Sequence, residues 1–561
     1  MLVFWQGRAK IVGSREHEVV AEGNAVSKRQ PKTNYWQDAP LPREQLALFA
    51  DTLEQRIPED HPVRILDELL SPLDWSQWEA TYHGKFGQPP IHPSVMCKVL
   101  LFAMVRRIRS SRQIEYNLKH SIDFMWLASG RTIDHSTLSE FRRKHPKQLK
   151  DFYRQMVQLA IKMGVAKLSE LCIDGTRVQA DASRFKTLTA KKVERLLREL
   201  DQQITAAMDE LDSNDSLDEL FDDGQPADQL PVELRDMKSR KDQLNAALLQ
   251  LQEMDQQRKR DGINPKKNPA QLPVTDTDSR ILPNKEGGYA PNYTPMAVTE
   301  TENGFIVGAD VVIGNVEHTV MMAMIDTIEG DFGQTPDTMM GDGAYCTGPN
   351  LAAMEQREIE LLSPAVREEK QDNPALREDP TQPVATEDLD QLPISPQTKR
   401  FDKQAFVYDE ETDSYYCPAG KVLPREGTEK VQRSGMTIVQ INYRCPACAG
   451  CLLAERCRKN PQAKKGRKVT RDGYEEVRRR HSERMQEEDA KERYKRRQHY
   501  GETPFAVLKA ALDLRRFLLR GIEGVQQEWL WGCTAFNAKK LMGILGAMRA
   551  DANATAVTME S

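Results

Sequence analysis

From Pro42 onward the apolar positions of this chain recur at helical spacing. LPREQLALFADTLEQRIP carries one such face, Pro58 and Pro62 break it, and HPVRILDELLSPLDW resumes it. HPSVMCKVLLFAMVRRI places Pro93 at a helix start, where a missing N–H costs nothing. SSRQIEYNLKH and SIDFMWLAS predict two short helices. In TIDHSTLSEFRRKHP, Asp134 predicts an N-cap, Leu138 and Phe141 an inward face, and Arg142, Arg143 and Lys144 an outward one. Short helices ending in one with a basic outer face suggest a helix-turn-helix-like module; the competing reading is a plain helical bundle with a solvated edge. Residues 150–165 continue as helix.

The period then changes. LCIDGT, residues 171–176, reads as a buried strand, and VQAD, 178–181, as a second strand paired with it across Gly175-Thr176. Over 187–261, two long, charge-rich helical stretches flank the acidic link SLDELFDDGQPADQLP, which predicts an antiparallel helical hairpin inserted into a β-rich region. Strand patterning returns with TPMAVTET, a turn at Asn303-Gly304, and FIVGADVVI. HTVMMAMIDTIEGDFG predicts a helix, TMMGDGAY a short strand ending at Asp342, GPNLAAMEQREI a helix and ELLSP a strand, which together describe a mixed α/β sheet. Residues 365–400, polar and proline-rich, predict a flexible loop. FVYDEETDSYYCPAGKVL and TIVQINYRCPACAGC predict a small β-rich unit, and TPFAVLKAALDLRRFLLRG and EWLWGCTAFNAKKLMGILGAM two closing apolar helices.

At 561 residues the chain exceeds one compact core, so about two to four domains are expected. No apolar run approaches bilayer-spanning length and MLVFWQGRAK is too short for a secretory signal, so a soluble, cytoplasmic protein with no membrane partner is expected. The net charge of −5 says little about nucleic acid, but its distribution says more. Residues 201–223 are acidic, whereas 456–497 carry a net of about +9, enough for a basic channel on an acidic protein.

Asp174 ends an apolar strand and is followed by glycine; Asp342 follows Met339-Met340-Gly341 and is again followed by glycine. Either aspartate alone reads as a turn cap. Two of them, at the tips of strands that can neighbour each other, read as carboxylates converging at one sheet edge, where a divalent cation relieves their repulsion and hard oxygens suit Mg²⁺ or Mn²⁺. A third carboxylate is expected. Glu502 is preferred, just before Thr503 as a possible N-cap and Pro504 as a first helical residue, with Lys509 two turns on. Glu355, Glu360, Glu475 and Glu476 remain alternatives.

Five of the nine cysteines cluster: Cys417, Cys445, Cys448, Cys451 and Cys457. Their C-x2-C-x2-C-x5-C spacing suits a tetrahedral structural Zn²⁺. Cys417, Cys445, Cys448 and Cys457 are the favoured four, with Cys451 in place of Cys417 as the other possibility. The basic run KKGRKVTRDGYEEVRRRH that follows, Lys464 and Lys465 included, would track a DNA backbone.

The ordered motifs CIDGTRVQADAS, GDGAY, YCPAGK, YRCPACAGCLLAERC, YKRRQHYGETPF and RRFLLRG, with HPSVMCKVLL and HSTLSEFRRKH before them, resemble the DDE transposases of bacterial insertion sequences, in the subgroup with an InsH-type N-terminal domain. The resemblance covers roughly residues 40–548. It implies a multidomain α/β protein with an RNase H-like mixed-sheet core over 165–186 and 270–364, completed by 491–550 with the glutamate's helix. Around the core it implies an arm over 1–40, an all-α DNA-binding domain over 41–150, the hairpin insertion over 187–262, and loop, cysteine-rich insertion and basic stretch over 365–490. It implies two metal ions held by Asp174, Asp342 and Glu502, hydrolysis at the element's ends, and attack of the freed 3′-OH on target DNA. Tyr494, Arg497 and Lys509 match the family signature and would contact phosphates, although one extra residue separates the arginine from the glutamate. The implied partners are double-stranded terminal repeats, target DNA and a second copy of the chain, at the bacterial nucleoid. The competing readings are a zinc-containing DNA-binding protein with a degenerate catalytic core, and a nuclease of the same fold without strand transfer.

Overall fold

The computed structural model describes residues 51–82, 89–213, 232–260, 262–284, 287–365, 372–433 and 436–560. The chain divides into Met1–Thr52 and Leu53–Ser561, and the elements below belong to the second unit. The expected arm over 1–40, the helix start at Pro42 and most of the acidic link at 214–231 lie outside the described residues.

Eight helices lead the unit: α1 Leu53–Arg56, α2 Pro62–Leu70, α3 Ser76–Glu79, α4 Pro93–Val105, α5 Ser111–His120, α6 Ile122–Leu127, α7 His135–Lys144 and α8 Pro146–Lys162. Pro62, Pro93 and Pro146 stand in the first turn of their helices. Asp134 caps α7, its carboxylate accepting from the N–H groups of Ser136 and Thr137. Leu138 and Phe141 are buried beneath it.

The central sheet is built on β6, Tyr289–Glu300, a strand buried along nearly its whole length. β1, Glu170–Gly175, and β7, Ile306–Val312, flank it antiparallel. β8, Thr338–Met340, lies parallel to β1, and β9, Glu360–Leu362, parallel to β8. The order is therefore β7-β6-β1-β8-β9. Parallel neighbours need crossovers, which α11, Met321–Phe332, and α12, Gly348–Gln356, supply. The second strand, β2, Val178–Gln179, does not pair with β1. It pairs with Tyr293 and Asn292 of β6, the strand that also holds β1, because β6 is long enough to carry both end to end. β5, Arg280–Pro283, pairs the same stretch of β6.

β3, Thr187–Leu188, pairs with β4, Leu272–Pro273, and closes the base of a helical hairpin. Its arms are α9, Ala190–Ser213, and α10, Val232–Arg260. They run antiparallel, with Lys241 on Asp201 at 2.6 Å and a small core of Leu188, Val193, Ala247, Leu251, Ala270 and Leu272.

A second sheet, five antiparallel strands in chain order, comprises β10 Val407–Asp409, β11 Ser414–Tyr416, β12 Val422–Arg433, β13 Met436–Arg444 and β14 Lys468–Asp472, with the one-turn α13, Ala454–Cys457, between the last two. The expected loop at 365–400 is, over its described part, packed onto this sheet. Ala375, Val384, Leu392 and Phe401 are buried there, and Arg377 donates to the carbonyls of Ala375, Pro380, Gln382 and Cys417. These anchors fall at irregular spacing, so no periodicity announces them.

α14 Glu475–Arg484, α15 Glu488–Lys495, α16 Arg497–Ala510 and α17 Gly521–Glu560 complete the chain. α17 packs on β7 and on α2, α4 and α8, so one hydrophobic core runs from the leading helices into the sheet. Asn537 is the polar seam: its amide group accepts from the Ile306 N–H and donates to the Ile306 carbonyl, so the edge strand β7 finds partners. No described helix is long and apolar enough to cross a membrane.

Candidate functional site

β1 and β8 run side by side with Cys172 opposite Met340. β8 ends at Met340, and the same register continued by two residues would set Asp342, just past the strand, level with Asp174 on β1. Period two places Asp174 on the face that carries Cys172. That face is covered by Met485, Ala490, Tyr494 and Tyr500, from the α14–α16 segment. Asp174 is buried, and its Oδ1 accepts from the Gly175 N–H at 2.8 Å while Oδ2 faces Arg497 Nη2 at 3.1 Å. Asp342 Oδ1 accepts from the Ala344 N–H at 2.9 Å, and its carbonyl from the Ser363 hydroxyl at 2.7 Å. The glycines beside them are demanded by space. A Cβ at Gly175 would lie 2.8 Å from Met296 Sδ, and one at Gly341 would lie 2.9 Å from the Tyr345 ring.

α16 lies along the strand tip. Arg497 and Gly501, one turn apart, both meet Asp174; a Cβ at Gly501 would stand 3.3 Å from Asp174 Oδ2 and from Cys172 Sγ. Further along, Lys509 Nζ donates to Thr176 Oγ1 at 2.6 Å. The helix starts at Arg497, not at the expected Thr503 cap, and Pro504 sits inside it. An internal proline lacks the N–H that would reach the Tyr500 carbonyl, which costs helix stability. Tertiary packing on Asp174 and Cys172 overrides that local signal. The earlier start puts Glu502 and Lys509, seven residues apart, on one continuous helical stripe.

Glu502 is exposed, adjoins Gly501, and takes part in no ion pair among the described residues. The four alternative glutamates are committed elsewhere. Glu355 pairs with Arg480, Glu360 with Arg484 and Arg493, Glu475 with Lys403 and Arg478, and Glu476 with Arg471 and Arg479. Burial works against the charge on Arg497, but Asp174 and Tyr494 outweigh it and hold the guanidinium protonated. Burial likewise raises the Tyr494 phenol, which packs on Cys172, Met340 and Leu362. Among the described residues no three Asp, Glu, His or Cys side chains stand where one ion would touch all of them. The fold presents two aspartates at neighbouring strand ends and carries the glutamate's backbone to them; Arg497 occupies the Asp174 oxygen.

All five clustered cysteines line one small cavity of about 20 Å³, with Arg458 and Arg467 at its wall. Cys417 is pulled down to about 6, chiefly by the Cys445 thiol donating to it and further by the backbone N–H groups of Lys421 and Ala419. Cys445 is pushed up in exchange. Burial raises Cys457 to about 11. The Arg467 N–H points at Cys448 Sγ, 3.4 Å away. Gly466 must be glycine here, since a Cβ would collide with the Cys445 carbonyl. Backbone N–H groups aimed at sulfur stabilise thiolate, the form a metal takes.

The basic residues fare unevenly. Arg142 is not outward: burial lowers its pKa, and its guanidinium donates to the Arg109 carbonyl beside the buried Arg109–Glu528 pair. Arg143 is exposed and, with Arg112 and Lys144, lines an open groove of about 620 Å³ between α5 and α7. Much of the run at 456–497 is turned inward. Arg467 donates to the carbonyls of Cys457 and Phe401, Lys468 to Glu429, Arg478 to Asp472 and Arg493 to Glu170. Lys464 and Lys465 stay exposed. Sequence reasoning missed Glu317, which packs on Gly175 and holds Arg177, and Tyr345, which packs on Gly341. Nothing local marks them; only the pairing of β1 with its neighbours brings them in.

Residues 51–144 match a family model described as "Transposase domain (DUF772)". Residues 416–542 match one described as "Transposase DDE domain", a span holding the five cysteines, Tyr494, Arg497, Glu502 and Lys509 but neither aspartate. No curated protein matches the chain.

Proposed function

Starting from a chain that is a DDE transposase of the insertion-sequence type, and so a DNA-processing enzyme, we propose that it cuts DNA at the ends of its element and joins the freed 3′-OH to target DNA. The observation that carries this reading is that Asp174, at the tip of β1, meets Arg497 and Gly501 of α16, the helix of Glu502, while Asp342 follows directly on β8, the parallel neighbour of β1. The strand order β7-β6-β1-β8-β9, with β6 antiparallel and β8 and β9 parallel to β1, supports an RNase H-like core. The donors suit Mg²⁺ or Mn²⁺ in kind: hard carboxylate oxygens at the ends of neighbouring strands. Asp174 and Asp342 would hold the ions, with Glu502 the third ligand. Bound there, such ions activate the attacking hydroxyl and neutralise the leaving oxygen. Arg497 pairs with Asp174 at 3.1 Å, and Tyr494, Arg497 and Lys509 would meet phosphates flanking the cut. Four of the five cavity cysteines would hold a structural Zn²⁺, and Cys417, Cys445, Cys448 and Cys457 are preferred. Cys417, Cys445 and Cys448 each receive a backbone N–H, and Cys457 packs with Cys448 against the unit's core, features not found for Cys451.

The test is product analysis. The purified chain, Mg²⁺ or Mn²⁺, and DNA ending in the inverted repeats that flank its gene should yield joined strands. Cut DNA alone would favour the nuclease reading, and intact DNA the inactive one. Double-stranded DNA would lie across the α5–α7 groove, against Arg112, Arg143 and Lys144, and past Lys464 and Lys465, with two copies of the chain bringing two ends together. Each phosphate contact removed lowers the salt slope by about 0.9. Replacing Lys464 and Lys465 by alanine should thus lower the slope by up to about 1.8, read by fluorescence anisotropy across a salt series; an unchanged slope removes this pair from the DNA path.

A further inference from the structure

Residues 511–520 join α16 to α17 with no helix or strand of their own, so their backbone groups must find partners elsewhere. One buried ion pair supplies them at two places. Glu528 Oε2 accepts from the N–H groups of Leu518 and Leu519 at 2.8 and 2.9 Å, and Arg109 Nη1 donates to the Asp513 carbonyl. The two side chains meet through Arg109 Nη2 and Glu528 Oε1, and each is only 8% exposed. Asp513 stands at a φ of +59°, a left-handed turn that aspartate tolerates better than most residues.

The loop is tied in turn to the strand segment of Asp174. Gln179 of β2 donates its N–H to the Arg515 carbonyl at 3.2 Å, and its carbonyl accepts from the Phe517 N–H at 2.8 Å. β2 follows Thr176, whose hydroxyl accepts from Lys509 Nζ, and Lys509 lies in the last turn of α16, just before the loop. On the other side the pair is tied to the α5–α7 groove. The Arg109 carbonyl accepts from Arg142 Nη1 at 2.9 Å, and Arg112 and Arg143, their near neighbours in sequence, line that groove. Replacing a buried ion pair by apolar side chains is often neutral or stabilising, so stability alone gives no reason to keep one here. Charged groups that each hold a backbone at a set point define a position.

We infer that Arg109 and Glu528 are positioning residues that fix the spacing between DNA held in the α5–α7 groove and the strand cut beside Asp174, and so set which phosphate is cut. This rests on the reading of Asp174 as part of the cleavage centre and of that groove as a DNA path. The pair touches no DNA. It holds the 511–520 loop, and through the loop it holds β2, Thr176 and Lys509.

Arg109→Lys keeps a charge for Glu528 but loses the fork that also spans to the Asp513 carbonyl. Glu528→Gln keeps an acceptor for Leu518 and Leu519 but removes the charge. End-labelled duplexes carrying the terminal repeat are cut and the products read at single-nucleotide resolution, beside anisotropy, the thermal midpoint and trypsin cleavage after the exposed Arg515 and Arg516. Both variants should bind DNA within about twofold of wild type and lose about tenfold to a hundredfold in kcat, the range of a small misplacement. Their cuts should spread over neighbouring phosphates, and trypsin should open the loop faster. Arg109→Met with Glu528→Leu, which leaves no unpaired charge, carries the same expectation if a single variant fails to fold. Ile328→Ala, buried in α11 against Gly308 of β7, is the control for lost stability: its thermal midpoint should fall while the cut stays at one position. A single cut position in the Arg109 and Glu528 variants overturns the inference whatever their rate, and so does scattered cutting by Ile328→Ala. Asp174→Asn runs alongside. If it cleaves normally, the reading of the centre fails and this inference with it. If it is inactive while the Arg109 and Glu528 variants cut only at the wild-type position, only this inference fails.

Discussion

Asp174→Asn should abolish strand cleavage, by at least about a thousandfold, or ~4 kcal/mol in the barrier, while DNA affinity stays within about twofold. Asparagine has the same shape. Its single amide oxygen can face Arg497 or accept the Gly175 N–H, with the NH2 group taking the other position. What it loses is the charge that a hard cation requires, and no other group on β1 replaces it. The fold should survive at a modest cost: Arg497, about 15% exposed, keeps some solvent and a neutral acceptor, so about 1–3 kcal/mol of destabilisation is expected. Glu502→Gln provides the contrast. Glu502 is exposed and in no ion pair among the described residues, so its thermal midpoint should not move while cleavage falls comparably. The pair of variants therefore separates chemistry from folding, with cleavage read on end-labelled DNA and binding by anisotropy. Cleavage by Asp174→Asn at the wild-type rate would remove Asp174 from the centre, and cleavage by Glu502→Gln at that rate would return the third carboxylate to open question.

The aspartates were legible because two independent local signals coincide at each: an apolar strand that stops, and a glycine. The register that brings their strands side by side was not legible, since it depends on β6 and the crossovers through α11 and α12. Glu502 was legible by position but its helix start was not. Thr503-Pro504 is a strong local start signal, and packing of Gly501 on Asp174 overrules it. Charge was the least legible property. A run reading +9 along the sequence is, in three dimensions, largely a set of ties. Arg478 to Asp472 closes the cysteine-rich unit, and Arg484 and Arg493 reach Glu360 and Glu170 at the far ends of β9 and β1. Arg142 misled for the same reason: a basic residue at the end of an amphipathic helix reads as solvated until α17 places Glu528 beside Arg109. Glu317 and Tyr345 carried no periodicity and no paired motif at all.

Removing zinc should unfold the unit over about 372–472 while the main sheet stays folded. The unit's buried set is small, from Ala375 to Val469, and much of β12 is exposed. Such a core falls short of stability alone, and structural Zn²⁺ on four thiolates contributes about 10–16 kcal/mol in small domains. About one zinc per chain should be released by a thiol-modifying reagent, and limited proteolysis of the stripped protein should cut within the unit first. Cys448→Ser should lose the metal, and Cys451→Ser should retain it. The pH dependence has a defined sign. Cys457, raised to about 11, and Cys445, raised further, must lose protons to bind metal, so zinc affinity falls as pH falls. In the metal-free state Cys417 acts oppositely: a thiol depressed to about 6 contributes stability that is present above its unfolded value and is lost as pH falls through 6. α14 begins three residues after β14 and is tied back to it through Arg478 and Asp472, so loss of the unit should loosen α14–α16 and slow cleavage without touching a carboxylate. A zinc-free preparation with the same thermal midpoint and proteolytic pattern as the purified protein would show that the five thiols fold without metal, and would leave the cavity they line without the ion assigned to it.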